Sequence, residues 1–255
     1  MTDERVRRAT ADLRSLTAAR VSLPMSGHSV ATTEVLEFQL AHAQARDAVH
    51  ALLDSNGFTR RLQEELPALE ERGIAVLQLR SCAADRASYL RHPQLGRALD
   101  AESFALLQPA IGELAITIAD GLSALAVERY AIPLLAELLP RLLAEEWTLT
   151  PLTVVRQGRV GICDPLGEGL AARCSLMLIG ERPGLSAADS MGAYLTWEPR
   201  MGRTDAERNC LSNIRSGGLS VEDAAARLTW LLRMAREMSA TGVRLKEGVA
   251  SLSGG

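Results

Sequence analysis

No Cys-x-x-Cys pair occurs in this sequence: its four cysteines, Cys82, Cys163, Cys174 and Cys210, lie far apart. That spacing disfavours a zinc site or a dithiol redox motif and fits reduced thiols in a cytosol. An excess of one charge is also lacking. With 28 Lys and Arg against 31 Asp and Glu the net charge is −3, so neither nucleic acid nor a membrane surface is expected as partner. No apolar run approaches the roughly 20 residues a membrane helix needs. The start, from Met1 to Arg8, has no apolar stretch behind its charges, so no secretory signal is read and a cytoplasmic protein is expected. Glycine is sparse where a nucleotide enzyme would need it. Asp120-Gly121-Leu122-Ser123 has the outline of a phosphate-binding turn but a single glycine, which meets neither the dinucleotide fingerprint nor the P-loop. Asp and Gly are equally the usual turn formers, with Gly121 supplying a positive φ.

The chain has 255 residues, 47% of them hydrophobic, enough for one large core or one core plus a helical appendage. Residues 1–70 read as helix. Val6, Leu13 and Leu16 are followed by a break over Ser22–His28, which holds Pro24 and Gly27. A longer helix then starts with Thr33 as N-cap, repeats apolar residues from Leu36 and Leu40 to Leu53, and stops near Asn56-Gly57. His42 and His50 on it are separated by about 12 Å along the axis, too far to share one ion. They read as packing or interface groups, and no metal site is assigned.

From Gly73 the period changes. Apolar runs at Ile74–Leu79, Leu114–Ala119, Pro151–Val155, Cys174–Gly180 and Ala193–Thr196 read as strands. Arg159–Ile162 reads as part of the third strand or as a hairpin about Gln157-Gly158. Helices are expected over 83–90 and 124–143, the latter with Ser123 at its start and Pro133 as a kink or break. Arg200–Asn213 reads as a polar, irregular loop, and Ser220 opens the last helix with Asp223 three residues on. Alternating strands and helices imply an α/β chain with a largely parallel sheet covered on both faces.

The stretch Cys174–Ser186 organises the rest. A buried strand ends at Gly180, and Glu181 and Arg182 follow at its carboxyl end, where open α/β sheets bind ligands. The same pair could simply close a strand.

Four segments carry a resemblance: Leu36–Val49, Asp120–Ser123, Gly180–Ser186 and Arg208–Ile214. In this order they are similar to the light subunit of ethanolamine ammonia-lyase, and the likeness runs from about Val6 to Lys246. It implies an adenosylcobalamin enzyme of two kinds of subunit, converting ethanolamine to acetaldehyde and ammonia by a radical mechanism. A TIM-barrel heavy subunit would hold the substrate. This chain would supply an N-terminal helical segment for subunit contacts (1–70) and a Rossmann-like cobalamin-binding domain (71–255), with no catalytic residue of its own. The radical chemistry would be the cofactor's.

Carried over position by position, the family's cobalamin contacts fall on Val160, Glu181 and Cys210, with Arg159 beside them. A corrin rim displays amides, which the Glu181 carboxylate can accept from and a backbone group at Val160 can pair with, while Cys210 gives a small polarizable wall. Val160 and Cys210 are also residue types usual in a core. No His lies in Asp-x-His-x-x-Gly, so the cofactor is expected to keep its benzimidazole on cobalt. The likeness begins so near residue 1 that a free cytoplasmic enzyme is expected rather than one in a protein-shelled compartment.

The sequence departs from the family pattern at three places. The family arginine is missing from Leu23–His28, Gln94 stands for Asp, and Pro165 stands for Glu. A non-catalytic cobalamin- or small-ligand-binding module, a divergent paralogue, is therefore the competing class. A neighbouring heavy-subunit gene discriminates the two.

Overall fold

The computed structural model describes residues 20, 21 and 23–245; the expected first helix, with Val6, Leu13 and Leu16, lies outside them. A hairpin of β1 (Met25–Ser26) and β2 (Ser29–Val30) turns at Gly27, φ 64°. Helix α1 (Thr32–His50) starts from Ala31 without a side-chain cap, so Thr33 lies inside the helix. Its end also differs from the Asn56-Gly57 expectation. The chain leaves the helix at Ala51, and the Asp54 carboxylate accepts the Gly57 N–H (3.1 Å) to open α2 (Ser55–Glu65). An acidic N-cap thus makes Asn56-Gly57 a first turn instead of a stop. Leu36, Phe38 and Leu40 of α1 are 59%, 44% and 61% exposed, and only Ala48 of that helix is buried. By contrast, Phe58 and Leu62 of α2 and Leu69 of the short α3 (Ala68–Glu71) enter the main core.

Next come β3 (Val76–Arg80), α4 (Arg86–Arg91), α5 (Ala101–Ala105), β4 (Leu114–Ala119) and α6 (Ala124–Ala144). After them follow β5 (Leu152–Arg156), α7 (Cys163–Gly169), β6 (Cys174–Gly180), β7 (Met191–Trp197), β8 (Arg208–Ile214) and α8 (Val221–Met238). The six longer strands form one sheet in the order β3-β5-β4-β6-β7-β8. The three pairings on the β3 side are parallel and the two on the β8 side antiparallel. The chain is α/β with a mostly parallel sheet, as its alternation of elements implies.

Every residue of β4 and β6 is buried, because helices cover both faces and leave no strand position for a polar outer row. Ile116, Ile118, Leu176 and Leu178 pack on one face in the cluster that also holds α6, α8 and α2 residues. Ala115, Ala119, Met177 and Ile179 pack on the other beneath Ile162, Leu166 and Leu170. Ser123 caps α6 by accepting the Ala126 N–H. The helix continues through Pro133 instead of breaking. Pro133 and Pro140 are both on its exposed side, where water reaches the carbonyls they leave without a donor. Ser220 accepts the Asp223 N–H (3.1 Å) and caps α8 as its spacing implies.

Two segments differ from the sequence reading. Val160–Ile162 is a 3-10 turn leading into α7, not a strand. Gln157 takes φ 57°, and the Arg159 N–H donates to Gly96 O (2.7 Å), which draws the chain away from the sheet. Arg208–Ile214 is the edge strand β8, not an irregular loop. Its backbone partners come from β7, and its exposed positions carry the polar residues that obscure a strand pattern. No helix among the described residues is long and apolar enough to cross a membrane.

Candidate functional site

Two of the motif segments meet at the carboxyl ends of β4 and β6. The Leu122 N–H donates to Gly180 O (2.9 Å). Gly121, at φ 56°, lies so close that a Cβ on it would stand 2.3 Å from Gly180 O, and one on Gly180 would stand 2.0 Å from Ser123 O. Only two glycines permit that approach. The Ser123 hydroxyl donates to Ala188 O (2.9 Å), tying down the loop that follows Glu181. Asp120 is buried and accepts the Gln157 N–H (2.6 Å), which joins the end of β4 to the turn after β5. Burial pushes its carboxyl up to about 6, against the pull of Arg86 at 3.9 Å. Asp120-Gly121 is thus a turn and an anchor.

That turn positions Arg159 and Val160. Tyr89, fully buried, donates its hydroxyl to Gly158 O (3.0 Å), and the guanidinium groups of Arg86 and Arg159 lie over its ring at 4.8 and 4.2 Å. Arg159 also donates from Nη2 to Tyr89 O (3.3 Å), while its buried Nε has no hydrogen-bond partner among the described residues. Val160 opens the 3-10 turn and, with Arg159, lines a cleft of about 640 Å³. Arg97, Phe104, Met201 and Tyr194 line other parts of it.

Tyr194 connects that cleft to the remaining two residues. On β7 it lies opposite Cys210 of β8 and opposite Met177 of β6. Gly192 precedes it by two positions on the same face. A Cβ there would stand 3.0 Å from Glu181 Oε1 and 3.3 Å from Tyr194 Cε2, so the carboxylate and the ring both pack over this glycine. Burial raises the Tyr194 hydroxyl, with Cys210 and Glu181 adding to it. Burial likewise raises the Cys210 thiol, opposed by Tyr194 and reinforced by Glu181.

Glu181, the first residue after β6, has its Oε2 held by the Ser190 hydroxyl and by the Asn213 N–H (3.2 Å). Its Oε1 carries no hydrogen bond among the described residues and can accept one from a ligand. Arg182 is exposed and makes no ion pair with Glu181, so the two do not act as a unit.

The structure therefore brings Arg159 and Val160 to the cleft directly. Glu181 and Cys210 are not among its lining residues and join it through Tyr194. The Cys210 strand is locked by a pair, Asp164 and Arg208, that also lines the cleft. Arg208 makes a two-pronged pair with Asp164 (2.9 and 2.7 Å) and donates to Thr196 Oγ1 (2.8 Å). Burial opposes the Arg208 charge, but Asp164 outweighs it and holds the guanidinium above its ordinary value. The sequence reading missed Tyr194, Ser190, Gly192 and the Asp164–Arg208 pair. Tyr194 lies within an apolar strand run, where a hydroxyl-bearing residue among apolar neighbours was the available signal; Ser190 and Gly192 offered none.

A profile described as "Ethanolamine ammonia-lyase light chain (EutC)" matches residues 7–246. The chain is 52% identical over 245 residues to an ethanolamine ammonia-lyase small subunit of Bradyrhizobium diazoefficiens, covering 94% of this chain and 91% of that one. It is 50% identical over 250 residues to proteins of that name from Pseudomonas paraeruginosa (95% and 89% covered) and Azotobacter vinelandii (95% and 90%). Matched over nearly its whole length, the chain belongs to the ethanolamine ammonia-lyase light chain family.

Proposed function

We propose that this chain acts as the light subunit of an adenosylcobalamin-dependent ethanolamine ammonia-lyase, working with a heavy subunit in the cytoplasm. The observation that carries the reading is the convergence of Arg159, Val160, Glu181 and Cys210, from three separate segments, around Tyr194.

The residues present fit a corrin, whose rim amides both donate and accept hydrogen bonds. Glu181 Oε1 is a free acceptor, and the Arg159 Nε is a buried donor without a partner. Val160 heads a 3-10 turn, where a backbone N–H has no place in the turn's own ladder. When bound, adenosylcobalamin supplies the radical chemistry that turns ethanolamine into acetaldehyde and ammonia. The role of this chain is to bind the cofactor's edge, orient it and keep water from that side; none of its residues is given a proton-transfer role.

The exposed apolar residues of α1 support the partnership. Leu36 and Leu40 share one side of the helix and Phe38 lies on another, and each would gain about 1–2 kcal/mol when its remaining exposed half is covered. Two of the departures from the family pattern leave the backbone around the site undisturbed, although Pro165 changes the cleft wall. Gln94 is exposed, and Pro165 occupies the first turn of α7, where a missing N–H costs nothing. Its neighbour Asp164 keeps the pair with Arg208.

Co-expression with the heavy subunit, followed by an acetaldehyde assay with added adenosylcobalamin, tests the reading. Turnover by the complex and none by the pure chain is expected. A complex that binds cobalamin without releasing acetaldehyde would favour the non-catalytic module.

A further inference from the structure

We propose that Ser190 and Gly192 make Glu181 a selective acceptor for a primary amide on the ligand's rim, Ser190 as a positioning residue and Gly192 by leaving room for the carboxylate to lie over its strand. This rests on the reading that cobalamin binds at this face. The Ser190 hydroxyl and the Asn213 N–H both donate to Oε2, so that oxygen is used within the protein. The carboxylate is thereby held in one rotamer, over Gly192 and beside the Tyr194 ring, with Oε1 left for a ligand donor. Ser190 is itself fixed. It is buried, its carbonyl accepts the Glu181 N–H (2.8 Å), and the adjacent Asp189 accepts from Arg129 (2.6 Å) and from the Tyr130 hydroxyl (3.0 Å).

The carboxylate can lie there because residue 192 has no side chain. A Cβ would stand 3.0 Å from Glu181 Oε1 and 3.3 Å from the Tyr194 ring edge, close enough to push the carboxylate aside. An acceptor-only oxygen beside an aromatic wall takes an N–H donor and repels a carboxylate. A primary amide satisfies both demands, since its NH₂ donates to Oε1 while the stem that bears it lies against the ring.

The test measures cyanocobalamin affinity by absorbance titration on the complex with the heavy subunit, with circular dichroism and subunit co-purification as fold controls. Ser190→Ala should raise Kd about three- to tenfold, and Ser190→Thr, which keeps the hydroxyl, by less than about twofold. Gly192→Ala should raise it about tenfold or more, because its Cβ would push the Glu181 carboxylate out of place. In a Glu181→Ala background, Ser190→Ala should add nothing, as expected of a residue acting through that carboxylate. If Glu181→Ala weakens binding while Ser190→Ala and Gly192→Ala do not, the proposal falls and the cofactor reading stands. If the unaltered complex fails to bind cyanocobalamin, or Glu181→Ala has no effect, the assignment of Glu181 to the cofactor falls and this proposal with it.

Discussion

Arg208 grips Asp164 with two parallel hydrogen bonds inside the protein, joining the edge strand β8 to the first turn of α7. Both side chains are almost wholly buried, at 3% and 6% exposure. The strand that bears Cys210 is therefore fixed to the helix that follows Val160, and the two halves of the site share one anchor.

Asp164→Ala should destabilise the chain by about 3–5 kcal/mol, because it leaves the Arg208 charge buried without its partner. Urea unfolding monitored by circular dichroism reads the change. Arg208→Lys should also be costly, since an ammonium cannot reproduce the planar fork. A midpoint unchanged in Asp164→Ala would show that water replaces the carboxylate.

Asp120 sets a pH dependence of opposite sign to that of an ordinary salt-bridged carboxylate. Its folded value of about 6 stands above the ordinary 3.8, burial being the main cause. Below about pH 4 the proton is bound in both states, and this stabilising contribution is fully present. As pH rises through about 6 the unfolded chain has already released the proton, so the contribution is lost. Wild type should lose about 2–3 kcal/mol between about pH 4 and 7 relative to Asp120→Asn. Parallel unfolding curves for the two proteins across that window would contradict the burial argument.

Glu181→Gln should raise the cobalamin Kd of the complex by about tenfold to a hundredfold, from hydrogen bonds to a charged group worth about 1.5–3 kcal/mol. The structure supplies the reason. Oε2 accepts from Ser190 and Asn213 while Oε1 has no partner among the described residues, and Gln has one acceptor for two tasks. The ethanolamine KM at saturating cofactor should barely change. An unaltered Kd would mean that Glu181 only closes its strand.

The four thiols should separate by reactivity. Cys163 and Cys174 are fully buried, and burial pushes Cys163 up to about 12 and Cys174 higher still. Cys82 and Cys210 are exposed, with Cys210 raised by the burial around its sulfur. Iodoacetamide at pH 7 should label Cys82 first and Cys210 slowly, sparing the other two until urea is added. Bound cobalamin should protect Cys210. Mass spectrometry of the peptides reads each site, and native-state labelling of Cys174 would contradict the packing around β6.

Elements whose signal is local were legible in the sequence. Leu114–Ala119 and Cys174–Gly180 are strands at those bounds, and Ser123 and Ser220 are the caps their spacing implies. Where a second element decides, local reading went astray. Thr33 yielded to Ala31 as the helix start, and Asn56-Gly57 was drawn into α2 by Asp54. Arg159–Ile162 was drawn out of the sheet by Gly96, and Arg208–Ile214 became a strand only because β7 pairs with it.

The site divides in the same way. By itself the sequence determined the α/β class, the buried central strands and the four motif segments. Those depend on periodicity, turn chemistry and residue identity along a short stretch of chain. Only the tertiary structure decided that Tyr194 stands between Glu181 and Cys210, that Ser190 occupies one carboxylate oxygen, and that Gly121 closes on Gly180. Each of these is a contact between segments whose own patterns are silent about the other, fixed by the parallel crossing of β4 beside β6 and the antiparallel return of β7 and β8.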